Sequence, residues 1–250
     1  MATKTSRLQA DIVEKYAADV GLEPDASYVS GAPLRPLPPL DVGTDSVMIV
    51  GAYPSARFGV ISGIRDVPVG DNMGPFEPER YFDGQRVRTQ ASADELRDLF
   101  FTPLGLDRSK CWVTDIVKVF LFKEGHRRKY ADLHATPPTG YRREDFEDLA
   151  VLSLRWLERE LEVAEPRLLV TLGSEVAGVL RAAQSQKTRN ALLTGDLASV
   201  AMGGRTVNAV HLAHPGILMR KGQAGRNPWP ARHQDHLAKL RVTLENLELT

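Results

Sequence analysis

Apolar residues along the chain fall into short dense runs separated by longer amphipathic stretches. Ser46 to Val50, Lys110 to Val117, Arg167 to Leu172 and Thr206 to Ala213 are near-continuous apolar segments, the pattern of strands buried on both faces. Around them, Arg7 to Val20, Arg143 to Val163, Ser174 to Ala183 and Trp229 to Leu247 repeat apolar positions at helical spacing. Ser92-Ala93-Asp94-Glu95 fits a capping box ahead of Leu96, Leu99 and Phe100, and Ser174 reads as the cap of its helix. Strands alternating with helices imply parallel pairing through right-handed crossovers. The expected architecture is an α/β fold, a three-layer α/β/α sandwich with a central, mainly parallel four-stranded sheet.

Two stretches interrupt the alternation. Ala32 to Leu40 (APLRPLPPL) cannot continue a helix, so residues 1–45 read as an N-terminal helix and proline-rich arm packed on the core, with one domain over 46–250. After the first strand, glycines and prolines punctuate the chain through Phe82, a stretch too long for a simple connection and typical of a binding wall or lid.

Composition narrows the function classes. The 250 residues, 42% hydrophobic and 26% charged, suffice for one sizeable core. No apolar run is long enough to span a bilayer, and Asp11, Glu14 and Asp19 stand where a signal or transit peptide avoids acids; the expectation is a cytoplasmic chain, monomeric by default. Cys111 is the only cysteine, which excludes an intramolecular disulfide, a four-cysteine zinc site and a cysteine-held iron-sulfur cluster; no metal or cofactor is expected. The net charge of zero conceals segregation. Lys118 to Arg143 holds seven Lys/Arg against two acids, Gly203 to Arg241 holds seven against one, and Glu144 to Glu165 holds eight acids against two arginines. Either the two basic segments form one phosphate-binding face, or they are ordinary solvated surface.

The chemistry sits at strand tips. Val47 to Val50 ends in Gly51-Ala52-Tyr53-Pro54-Ser55, and Val210 to Leu212 ends in Ala213-His214-Pro215-Gly216. If both strands lie in one parallel sheet, these tips meet at its carboxyl edge, where such sheets bind ligands.

Read in order, Gly51-Ala52-Tyr53-Pro54-Ser55, Trp112 to Lys118, Pro166 to Ser174 and His214-Pro215-Gly216-Ile217-Leu218-Met219-Arg220 resemble the uracil-DNA glycosylase superfamily over Ser46 to Leu247. The nearest branch is the bacterial and archaeal one whose members often hold an iron-sulfur cluster, which a lone cysteine cannot ligate. The resemblance implies base excision repair: a nucleotide is flipped from damaged or modified DNA, duplex or single-stranded, and its N-glycosidic bond is hydrolysed to leave an abasic site.

That resemblance also implies roles. His214 matches the donor that stabilises the departing base; otherwise it caps its turn. Gly51 and Pro54 fit a turn passing close to the flipped nucleotide, or a purely structural strand-to-loop turn, and Ala52 between them is a candidate base contact. Tyr53 replaces the usual Asp or Asn, and a phenol is a poor base at neutral pH, so Asp66 and Asp71 later in the loop become candidates to activate water, or are turn residues. Phe76 resembles the aromatic on which the base stacks, or anchors the loop. Ser55, Pro215 and Gly216 line the expected DNA path; Leu218 and Met219 are candidates to fill the vacated stack, or are ordinary core, and Arg220 and Lys221 are candidates to meet phosphate.

Asp115 stands where relatives place an Asn that reads uracil. An ionised Asp accepts only, which favours the exocyclic amine of a cytosine-type base, whereas a protonated Asp115 imitates Asn. Three readings remain: a glycosylase for uracil or another deaminated base, one for a cytosine-type modified base, and a silent nucleic-acid-binding module, since Tyr53 and Gly216 replace usual residues. A hydrolase built on Ser55 is excluded, because the loop is no nucleophile elbow.

Overall fold

A computed structural model describes residues 3–23, 25–136, 142–182, 185–219 and 227–249. Its strands are β1 (Val47–Gly51), β2 (Ala56–Ile61), β3 (Ile64–Asp71), β4 (Arg80–Phe82), β5 (Val87–Thr89), β6 (Trp112–Asp115), β7 (Leu168–Leu172), β8 (Leu197–Met202) and β9 (Arg205–Leu212). The helices are α1 (Lys4–Asp19), α2 (Ala91–Leu96), α3 (Thr102–Leu104), α4 (Glu124–Asp132), α5 (Phe146–Ala164), α6 (Ser174–Leu180), α7 (Gln186–Ala191), α8 (Pro215–Leu218) and α9 (Trp229–Asn246).

The four apolar runs form the parallel part of one sheet, ordered β6-β1-β7-β9, and helices cover both faces as expected. A fifth strand, β8, joins antiparallel to β9 at the edge. Every residue of β1, β6 and β7 is buried, and strand alternation divides them between two cores. Met48, Val50 and Leu169 face Ile12 and Tyr16 of α1 and Trp156 of α5; Val47, Ile49 and Val170 face Leu237, Leu240 and Leu244 of α9. None of the described helices is long and apolar enough to cross a membrane.

The punctuated stretch after β1 consists mainly of two hairpins, β2 with β3 and β4 with β5. Asp71, at the end of β3, buckles the N-terminal arm to the first hairpin. It accepts from Tyr28 Oη at 2.5 Å and from the Arg35 backbone N–H at 3.1 Å, and burial holds its carboxyl above the ordinary range against these bonds.

One charged pair lies wholly inside the protein. The Lys118 ammonium meets the Glu160 carboxylate of α5, with both side chains fully buried. Lys118 Nζ also donates to Thr114 Oγ1 at 2.8 Å and to the Asp115 carbonyl at 2.5 Å, while Trp112 Nε1 donates to Glu160 Oε2 at 2.9 Å. Lys118 therefore contributes nothing to a basic surface. It fixes the turn that leaves β6.

Candidate functional site

Parallel register brings the strand tips to one edge. Gly51 pairs with Asp115 and Leu172 with Leu212, so the loops after β1, β6, β7 and β9 open on the same side. Between them lies a cavity of about 680 Å³, and Tyr53, Phe76, Asp115 and His214 all line it.

Gly51 makes their approach possible. A Cβ there would overlap Asp115 Oδ1 and stand 2.6 Å from Phe76 Cε2. Because both neighbours are buried, Gly51→Ala forces a shift in the cavity wall and is expected to destabilise the fold by about 1–3 kcal/mol. Denaturant unfolding checks this. An unchanged midpoint would mean that the wall yields freely.

Phe76 holds its backbone at φ +53°, a left-handed conformation costly for a bulky residue. That turn carries the ring inward, where it packs against Gly51 and lies 6.2 Å from the His214 ring, centroid to centroid. Asp115 is 1% exposed, and neither carboxyl oxygen has a hydrogen-bond partner among the described residues. Burial raises its pKa to about 7; nearby Lys118 opposes the rise and Glu160 adds to it.

His214 caps α8, its Nδ1 accepting from the Gly216 N–H at 3.0 Å. That bond puts the proton of a neutral ring on Nε2, making the far nitrogen a donor. Capping and donation were alternatives in the sequence, and one ring can perform both. Tyr53 packs on Phe146 with centroids 5.9 Å apart, and the Arg143 guanidinium lies 5.3 Å from its ring centre. Burial pushes the phenol up to about 12, so it is no base at neutral pH.

Residues 41–234 match the family model described as the uracil DNA glycosylase superfamily. The chain belongs to that superfamily. Membership supports a DNA-glycosylase type of activity, with DNA as the partner, and superfamily proteins are in general hydrolytic glycosylases. No curated protein matches the chain.

Other candidate residues of this superfamily member fall less uniformly. Ala52, Pro54, Ser55 and Gly216 line the cavity beside the main four. Asp66 does not: it sits exposed near the β2–β3 hairpin turn at φ +55°, paired with Arg88 at 3.0 Å. Asp71 is likewise absent from the lining, its carboxyl engaged by the arm. Pro215 and Leu218 occupy the buried face of α8, so neither is poised to enter a base stack; Met219, 54% exposed, projects beside them. Arg220 and Lys221 lie outside the described residues.

Lys123 and Arg143 from the first basic segment reach the cavity, as does Trp229, over which Arg232 of the second segment lies. Not anticipated from the sequence is the part of the cavity wall that α7 supplies, Gln186, Arg189 and Asn190. Its one signal was Ser185-Gln186-Lys187-Thr188, in which Ser185 Oγ accepts from the Thr188 N–H and Thr188 Oγ1 from the Ser185 N–H. His126 was also missed; set among Phe58, Phe120 and Phe122, it is driven by burial to about 4 and stays neutral.

Proposed function

We propose that the protein is a monofunctional DNA glycosylase of base excision repair, which draws a flipped pyrimidine-type base, deaminated or modified, into this cavity and leaves an abasic site. The observation that carries the reading is the convergence of Phe76, Asp115 and His214 on one cavity, with His214 held in the tautomer whose Nε2 donates. Phe76 supplies a stacking surface, worth roughly 1–3 kcal/mol per base. Asp115 meets the base edge. His214 Nε2–H meets the oxygen beside the glycosidic nitrogen, where negative charge accumulates as the bond breaks.

Nucleophile activation has no counterpart at Tyr53. The barrier is lowered chiefly by stabilising the departing base, after which the sugar cation is electrophilic enough to take an unassisted water, whose excess proton passes to the departed base anion. Met219 fills the vacated stack, and Ser55 and Gly216 contact the strand beside the flipped nucleotide.

A second reading, favoured by the unpartnered oxygens of Asp115, is removal of a cytosine-type base. Single-turnover incubation with single- and double-stranded oligonucleotides carrying uracil, hypoxanthine, xanthine, mismatched thymine or modified cytosines, followed by alkaline cleavage, tests both. Strand scission at a pyrimidine supports the proposal. Silence across the panel with retained DNA binding would instead identify a binding module.

A further inference from the structure

Asp115 is the cavity-lining residue whose buried side-chain oxygens lack a partner among the described residues. An ionised carboxylate there would be poorly compensated. The nearest cation, Lys118 Nζ, is committed to Glu160, Thr114 Oγ1 and the Asp115 main-chain carbonyl. The other titratable groups near it are Glu160, Tyr53 from the β1 loop and His214, with Lys123, His126, Arg143, Glu175 and Arg189 elsewhere on the cavity wall. None is an ammonium or guanidinium bonded to the carboxyl.

The neutral acid offers one O–H donor beside one C=O acceptor, and no bond from the described residues fixes which oxygen bears the proton. Uracil presents an acceptor at O4 beside a donor at N3–H. Cytosine presents the same pair reversed, a donor at the 4-amino group beside an acceptor at N3. Both carry O2 next to the glycosidic nitrogen, where His214 acts. We propose that Asp115 lets this one cavity read uracil-type and cytosine-type edges alike, its carboxylic acid presenting donor and acceptor in whichever order the base requires.

The proposal rests on the glycosylase reading for the nature of its ligand. Selection between bases then moves to the flipping step, where a mispaired or unpaired base leaves the stack at lower cost than one in a G·C pair. Ionisation removes the donor, so O4 of uracil and N3 of cytosine each face a bare carboxylate oxygen and both edges are held less well, although the bond accepted from the 4-amino group or from N3–H survives. Since burial sets the carboxyl at about 7, activity falls as pH rises through neutrality. A residue acting as a general base has the opposite sign.

Single-turnover release of uracil and of cytosine from single-stranded oligonucleotides, between about pH 5.5 and about pH 8.5, tests this on the full chain. Equilibrium binding of the same strands with a 2′-fluoro sugar, which blocks cleavage, runs beside it. The two bases are expected to leave within about tenfold of each other, whereas a site of fixed hydrogen-bond order discriminates by about 10⁴–10⁵. Both rates are expected to decline above about pH 7, by up to about tenfold per pH unit, and the decline is expected to vanish in Asp115→Asn. Uracil release with cytosine rejected by more than about 10³ at every pH overturns the proposal but leaves the glycosylase reading intact. An equal decline in Asp115→Asn overturns it too. If neither base is released, the wider oligonucleotide panel decides the glycosylase reading separately, and binding decides the dual reading. Similar affinities that weaken above neutrality only in the unsubstituted protein support the dual reading; selective or pH-independent binding overturns it.

Discussion

Replacing His214 by Ala is expected to lower the single-turnover rate of base release by about 10²–10³-fold, the loss of about 3–4 kcal/mol of transition-state stabilisation that follows removal of one preorganised donor. The ring does two things, so the Ala variant alone does not separate them. Its Nδ1 accepts from the Gly216 N–H and caps α8, a bond worth about 1 kcal/mol to the turn. His214→Asn separates the functions: the amide oxygen replaces Nδ1 as cap, but the shorter side chain places no donor where Nε2 stood. The Asn variant should therefore unfold close to the unsubstituted protein in denaturant, yet lose release as severely as Ala. Full activity in His214→Asn would assign the residue to the turn alone and leave the departing base without its donor.

The layout of this site was legible because buried parallel strands announce themselves. The runs ending at Gly51, Asp115, Leu172 and Leu212 are apolar on both faces, and parallel pairing brings their tips to one edge of the sheet. β8 escaped notice because an edge strand exposed on one side keeps no continuous apolar run, and six-residue α7 is too short for a helical period to show. Caps were misplaced for a related reason. The helix expected to start at Ser92 starts at Ala91, and Gly173 rather than Ser174 occupies the cap position of α6, so side-chain bonding there is not set by residue type alone. Nothing in the order of residues says which side of a hairpin faces the cavity. That ambiguity left Asp66 and Asp71 as candidates to activate water in place of Tyr53, until the exposed turn claimed one and the N-terminal arm the other. Charge counting misled at Lys118, because a count has no direction. Yet a lysine inside the apolar run Ile116 to Phe122, and a glutamate on the buried stripe of α5 between Leu157 and Leu161, were together a signal for an internal pair.

That pair yields the second large expected effect. Lys118→Met leaves the Glu160 carboxylate buried with the Trp112 indole as its remaining hydrogen-bond donor, and an uncompensated internal charge typically costs about 3–5 kcal/mol. Denaturant unfolding should show a loss of that size. Adding Glu160→Gln neutralises the orphan while keeping an oxygen for Trp112, so the double variant should recover most of the loss and the two substitutions should couple strongly. Additive losses would mean that the pair is not a unit. The double variant also bears on the cavity, because Lys118 pulls the Asp115 carboxyl towards ionisation and Glu160 pushes it away. Removing both charges cancels opposing influences, and what then remains is burial, the largest cause of the shift. The neutral acid should accordingly persist in the double variant. The lysine is therefore expected to matter to Asp115 mainly through its bond to the main-chain carbonyl, as the anchor of the turn that presents the acid to the base.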